Sequence, residues 1–202
     1  METAHVARLG HVGLHVQDLE KQKTFYRDII GLIVTDEDPE RGMVFMSSRP
    51  DEEHHELLLC RGRNVGSEAR LVQQISFRCD SLDDVLGFYQ RFKGHGVKFD
   101  MILSHGNAIG IYVFDPEGNR VETYWDTGLK AKQPYAEVLD LEQPAAELLM
   151  HIGNMSHATA GQVSSTFRAV THGDVPAVGV SVISACRVPT VCDDLWRDRP
   201  SP

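Results

Sequence analysis

The chain has 202 residues, 42% of them hydrophobic and 24% charged, with a formal charge of −9 from 20 basic and 29 acidic side chains. That is an ordinary globular composition with room for a real core, and it excludes collagen-like and wholly disordered chains. The acidic balance argues against nucleic acid and anionic membrane surfaces as partners. No apolar run approaches the roughly 18 residues of a spanning helix, and METAHVARLGHVGLHV lacks the basic-then-apolar signature of a signal peptide. The four cysteines, Cys60, Cys79, Cys186 and Cys192, form no CxxC pair. Free thiols in a cytoplasmic protein are the expectation.

In chain order, the first element is an alternating strand, with Val12, Leu14 and Val16 on one face and His11, Gly13 and His15 on the other. A helix follows, with Asp18 as N-cap candidate and Phe25, Tyr26, Ile29 and Ile30 as its apolar face. Three short strands come next: LIVTDE, GMVFMSS and HELLLCR. The pattern then repeats at an offset of 63 residues. QQISFRCDSLDDVLGFYQRFKG from Gln73 lies on GHVGLHVQDLEKQKTFYRDIIG from Gly10, so that Gln74 falls on His11, Phe88 on Phe25 and Tyr89 on Tyr26. Ser81 with Asp84 resembles a capping box. VKFDMIL, AIGIYVF and RVETYWD complete the second set of strands, and DPEGNR, Asp115–Arg120, is a turn between the last two. The expected fold is α+β: two β-α-β-β-β modules, at about 8–62 and 71–128, joined in one domain over 6–140 with an open barrel-like sheet.

Composition changes near residue 150. The last 52 residues carry four Arg and four Asp, with no Lys and no Glu. A helix and a poorly ordered tail, or a segment that docks on a partner subunit, are the expectation for 141–202. His151, His157 and His172 show no metal-ligand spacing.

Three polar groups stand out. His11 and Gln74 occupy equivalent positions on equivalent strands, and Glu122 interrupts an apolar and aromatic strand, where an inward carboxylate needs a partner. A nitrogen, an amide oxygen and a carboxylate can hold a divalent metal while leaving positions open for substrate. His54 and His55 precede a strand, and imidazole suits proton transfer near neutral pH. His105 sits beside Gly106, with Tyr112 in the next strand. Taken alone, each has a plain alternative: a polar strand residue, a solvated acidic loop, core packing.

With the two modules, LGHVGLHVQDLEKQKTFY and DPEGNRVETYW resemble the vicinal oxygen chelate superfamily, whose fold is that of glyoxalases, bleomycin-resistance proteins and dioxygenases. LGHVGLHV, EHHELLL, SHGNAIGIY and DPEGNRVETYWDTG are similar to one-domain type I extradiol dioxygenases acting on 2,3-dihydroxybiphenyl or catechol. The resemblance implies an iron held by two His and one Glu. His11 matches the first His and Glu122 the Glu, while Gln74 stands where the second His is expected, a departure from the pattern. It further implies His55 as the residue assisting proton transfer, Tyr112 as the one that hydrogen-bonds a substrate oxygen, and His105 as an additional pocket His. The implied activity is ring cleavage of an aromatic diol with O2 and Fe(II), with Mn, Ni or Zn as alternatives, in a homo-oligomer. Two rival readings share the scaffold. A glyoxalase-like lyase or isomerase would take a fourth ligand from strand four, at Glu56 or at the position of Leu58. A metal-free drug-binding protein would have lost the ligand set.

Overall fold

The protein's structure is a computed structural model in which residues 4–69 and 71–157 are described, without the side chains of 155–157. The expectation for the tail beyond 157, including His172 and the last two cysteines, lies outside the described residues.

Module one runs β1 (Val12–Val16), α1 (Leu19–Thr24), β2 (Ile33–Asp38), β3 (Met43–Ser47) and β4 (Leu57–Arg61). Module two runs β5 (Ile75–Cys79), α2 (Leu82–Gly94), β6 (Phe99–Ser104), β7 (Ala108–Phe114) and β8 (Arg120–Asp126). The predicted repeat is thus present element for element. Two features go beyond it. The first helix widens into π-helical turns over Phe25–Ile30, and a two-residue strand β9 (Glu137–Val138) with helix α3 (Ala145–His157) follows module two.

Local chemistry explains the helix starts. The Asp18 carboxylate accepts from the Lys21 amide, and Ser81 and Asp84 form the reciprocal capping box. Strand alternation sets the layers. Val16, Val44, Met46, Leu57 and Leu59 of module one, with Ile102, Ile109, Ile111, Val113 and Val121 of module two, face the helices and share one core. Leu148 and Ile152 of α3 join that core beside Leu139 and Leu141.

The strands form two sheets, ordered β1-β4-β3-β2 and β5-β8-β7-β6-β9. Each module pairs its first and last strands in parallel, and neither sheet closes into a barrel. Side-chain bonds tie the modules together. The Tyr26 hydroxyl donates to Asp115 at 3.1 Å. Glu117, in the same turn, accepts from the backbone N–H groups of Gln17 and Asp18 at 2.7 and 2.8 Å. Burial, with the Asp115 carboxylate beside it, pushes the Tyr26 phenol well above its ordinary value.

Candidate functional site

The faces turned away from the helices carry the polar residues singled out in the sequence. Strand register reads them off in rows. In module two, Ser76 of β5 pairs with Glu122 of β8, and Glu122 pairs with Tyr112 of β7. In module one, the equivalent row is Gly13, Leu58 and Phe45. One row is therefore hydroxyl, carboxylate and phenol. Its counterpart is glycine, leucine and phenylalanine.

Glu122 is 6% exposed, and its burial is satisfied by donors. Its Oε2 accepts from Gln74 Nε2 at 2.8 Å and from the Ser76 hydroxyl. Gln74 Nε2 also donates to Ser76 Oγ at 2.9 Å. With its amide nitrogen turned to these partners, Gln74 presents its oxygen on the other side.

Tyr112 stands directly across from Glu122. Burial, and then the hydrogen bond and charge of Glu122, push its phenol far above the ordinary value. The hydroxyl lies 3.0 Å from His105 Nε2, and His105 Nδ1 lies 2.8 Å from the Tyr135 carbonyl. A carbonyl only accepts, so Nδ1 carries a hydrogen; in the neutral ring Nε2 then accepts, and the single phenol hydrogen is shared between it and the Glu122 carboxylate. Gln133 braces the same turn by donating to the His105 carbonyl at 2.7 Å.

On module one, His11 sits exposed just ahead of β1, and its ring centroid is 4.4 Å from that of His55. His55 packs edge-on to Phe45 at 5.2 Å, and its Nδ1 is 3.0 Å from that of His54. Burial, then the neighbouring His11 and His54, hold His55 below its ordinary pKa. A cavity of about 830 Å³ opens along the seam between β1 and β5 and is lined by His11, Gln74 and Ser76 along with apolar groups such as Val12, Ile75 and Phe77. Thus Gln74, Glu122, Tyr112 and His105 are linked by hydrogen bonds, while His11 and His55 form a second pair; the cavity is lined by His11 of the second and Gln74 of the first, and not by Glu122, Tyr112, His105 or His55.

The register also settles which residue of β4 matches Glu122. It is Leu58, paired with Gly13 as Glu122 is with Ser76. Glu56, two residues earlier, lines the same cavity as His11 and Gln74, with its carboxylate held by neighbouring donors. Its Oε2 accepts from the Ser48 N–H at 2.8 Å and its Oε1 from Arg49 at 3.0 Å. Burial works to raise its pKa, but these donors outweigh it and hold the carboxyl below the usual range.

The donor set suits a divalent cation. Among the described residues no three His, Cys, Asp or Glu side chains converge as a metal cluster; an imidazole nitrogen, an amide oxygen and a carboxylate, such as those of His11, Gln74 and Glu122, are donors that a divalent cation accepts. The geometry at Gln74 agrees, because its N–H groups are taken by Glu122 and Ser76 and its oxygen is free to face a cation. His151, which had no metal role in the sequence, is instead 3.3 Å from Glu137.

The chain matches the Glyoxalase/Bleomycin resistance protein/Dioxygenase superfamily over residues 8–123. It belongs to this superfamily. A manganese-dependent 2,3-dihydroxybiphenyl 1,2-dioxygenase of Geobacillus genomosp. 3 is 34% identical over 137 residues, which are 65% of this chain and 40% of that protein. Biphenyl-2,3-diol 1,2-dioxygenase 3 of Rhodococcus globerulus is 29% identical over 124 residues, 59% of this chain and 63% of that protein. The chain therefore spans less than two thirds of the length of these relatives. Among solved structures, a glyoxalase/bleomycin resistance protein/dioxygenase from Nocardioides superposes with a TM-score of 0.51 at 20% identity, covering 65% of this chain and 91% of that one. The fosfomycin resistance protein FosX of Listeria monocytogenes gives 0.50 at 21% identity, covering 61% and 96%. Both likenesses concern the fold.

Sequence reasoning overlooked three residues of this superfamily member's site. Ser76 shares the strand face of Gln74 and was within reach of simple alternation. Tyr135 acts through its carbonyl, which no side-chain pattern announces. Gly110 offers no side chain at all. Among the described residues, no helix is long and apolar enough to cross a membrane.

Proposed function

We propose that the protein is a metal-dependent extradiol dioxygenase that opens an aromatic diol with O2. The observation that carries this reading is the pair of unlike rows. Module two offers Ser76, Glu122 and Tyr112, while module one offers Gly13, Leu58 and Phe45 at the equivalent positions. An aromatic diol asks for this division, with an apolar surface for its ring and polar groups for its two oxygens. Leu58 in the place that mirrors Glu122, with the Glu56 carboxylate taken by Ser48 and Arg49, leaves three donors rather than four. That keeps coordination positions for a diol and O2, and it disfavours the glyoxalase-like reading. The names of the relatives at 28–34% identity point the same way.

In this reading His11, Gln74 and Glu122 hold the metal, Fe(II) in first place with Mn(II) as the alternative. When bound, it lowers the pKa of the diol hydroxyls and brings diol and O2 onto one centre. The chain's own residues do the rest. The Tyr112 phenol, kept protonated by burial, has a single hydrogen, which on diol binding turns from His105 and Glu122 to a substrate oxygen and orients the ring. His105 fixes that phenol and is itself held by Tyr135. His55, beside His11, takes a proton from the diol and returns it to the product. Phe45 and Leu58 exclude water from the ring's face.

The test is anaerobic loading with Fe(II) or Mn(II), followed by 2,3-dihydroxybiphenyl or catechol in air. Yellow ring-opened product from the wild type, at least a hundredfold slower with His55→Ala, supports the reading. Metal-replete wild type that makes no product, together with activity appearing in Gln74→His, refutes it and assigns the present site another task.

A further inference from the structure

The centre of β7 reads Ala108-Ile109-Gly110-Ile111-Tyr112, a glycine between two β-branched residues. A glycine inside a strand weakens it and marks a place where something approaches the backbone closely. Backbone conformation does not require it, since Gly110 is not among the residues with positive φ. The fold does not require it either. The equivalent position on β3 is Met43, which pairs with Cys60 as Gly110 pairs with Tyr124, and it carries a full side chain. What differs is the neighbour. Beside Met43 the row holds Leu58, and beside Gly110 it holds Glu122.

A Cβ at position 110 would lie 2.5 Å from Glu122 Oε1, 3.4 Å from its Cδ and 3.1 Å from the Tyr112 ring. The Glu122 carboxylate thus spans the sheet, with Oε1 over the bare Cα of Gly110 and Oε2 held by Gln74 and Ser76. Gly13, the other mid-strand glycine facing the cleft, makes the contrast, because a Cβ there would meet only Leu58 at 3.7 Å, an ordinary contact.

We propose that Gly110 is a positioning residue: its missing side chain is the seat of the Glu122 carboxylate, and any larger residue turns that carboxylate out of the site. The proposal rests on Glu122 being a metal ligand only for its consequence, not for the displacement itself. The clashing atom is the end of a flexible side chain, so the chain yields by rotating Glu122 rather than by unfolding. Gly110→Ala therefore separates two properties. Removing a glycine from a strand favours folding and the lost Glu122 hydrogen bonds oppose it, so stability stays near that of the wild type, while moving a metal's carboxylate or its support lowers affinity by roughly 10- to 100-fold.

The experiment compares wild type, Gly110→Ala and, as control, Gly87→Ala, whose Cβ would meet nothing within 4 Å. Three readouts are taken: Mn(II) affinity by calorimetry on metal-free protein, melting temperature, and crystal structures of the metal-free variants. The expected result is a melting temperature near that of the wild type for Gly110→Ala, a fall in Mn(II) affinity of tenfold or more, and a Glu122 carboxylate out of contact with Gln74 and Ser76. Gly87→Ala keeps the affinity. If Gly110→Ala melts lower, adding Glu122→Asp, one methylene shorter, restores the loss; no restoration overturns the proposal. A Gly110→Ala structure with Glu122 still in place, or a Mn(II) affinity within twofold of wild type, also overturns it. Wild type that takes up no Mn(II) or Fe(II) would defeat the metal reading alone, because the position of Glu122 in the metal-free structures still decides the role of Gly110.

Discussion

Replacing Glu117 by alanine opens the joint between the modules, and the cost can be worked from its contacts. Its carboxylate faces Arg63 at 3.4 Å, with the side chains 7% and 1% exposed. Removing one partner of a buried ion pair costs about 3–5 kcal/mol, because the other charge stays buried. Arg63 retains bonds to the Asn119 side chain at 3.3 Å and to the carbonyls of Val65, Gly66 and Ala69 at 3.1, 2.8 and 3.2 Å, which places the loss at the lower end. The two N–H groups of Gln17 and Asp18 also lose their acceptor, but they sit at the start of α1, where water reaches them in part. The net expectation is about 3 kcal/mol, or roughly 6–12 °C in melting temperature. Urea unfolding measures it as a lower midpoint at unchanged slope. The double variant Arg63→Met/Glu117→Leu, which removes both charges, should recover more than half of the loss. A Glu117→Ala loss below about 1 kcal/mol, or a double variant no better than the single, would refute the idea that this buried pair holds the modules together.

Three further outcomes follow from the same structure. Gln22 is fully buried in α1, and neither its Nε2 nor its Oε1 has a partner; Gln22→Met should stabilise by about 1 kcal/mol in the same urea assay, whereas a destabilised variant would mean that internal water satisfies the amide. Burial, with Asp84 and Asp80 nearby, pushes the Cys79 thiol up to about 11, so about one molecule in a thousand is thiolate at pH 8. Peptide mapping after iodoacetamide should find Cys60 labelled well before Cys79, and equal labelling would contradict the assigned burial. Gly13 is exposed on the cleft face, and a Cβ there would meet only Leu58, at 3.7 Å. If the diol's ring lies there, Gly13→Val should raise KM for 2,3-dihydroxybiphenyl at least tenfold and for catechol much less, and equal effects on both would remove the ring from that place.

Much of this architecture is legible before any coordinates, because a repeat carries positional information twice. The alternation around Gly13 and Ser76, aligned through the 63-residue offset, puts His11 and Gln74 on equivalent strand faces, and the lone carboxylate in VETYW marks Glu122. What stays hidden depends on register. Tyr112 and Glu122 are ten residues apart, and whether they share a face depends on how many residues the DPEGNR turn consumes; the pairing of Phe114 with Arg120 fixes that. The same problem leaves Glu56 and Leu58 both open as the counterpart of Glu122 until β1 and β4 are paired. The π-helical turns at Phe25–Ile30 are hidden for another reason. They keep Tyr26 buried with its hydroxyl on Asp115, a tertiary demand 89 residues away that local periodicity does not carry.

The unlike rows also explain why the two halves of a repeated scaffold are not equivalent hosts for a buried carboxylate. The backbone of each module offers the same three side-chain positions across its first, last and third strands, and nothing in strand pairing favours either set for chemistry. Burying a carboxylate is costly unless donors meet it. Module two supplies them, with Gln74 and Ser76 on one side, Tyr112 on another and a glycine beneath. Placing a glutamate at Leu58 alone would meet Gly13, Phe45 and Met43, which offer no side-chain hydrogen bond. The apolar row, half-buried at Phe45 and Leu58, thus offers an ionised group no donors and an aromatic ring a wall. A Leu58→Glu variant tests this directly. It should lower stability, and it should not enhance metal binding unless donors are added with it; a tighter Mn(II) site in a fully stable Leu58→Glu protein would show that the two modules are interchangeable hosts after all.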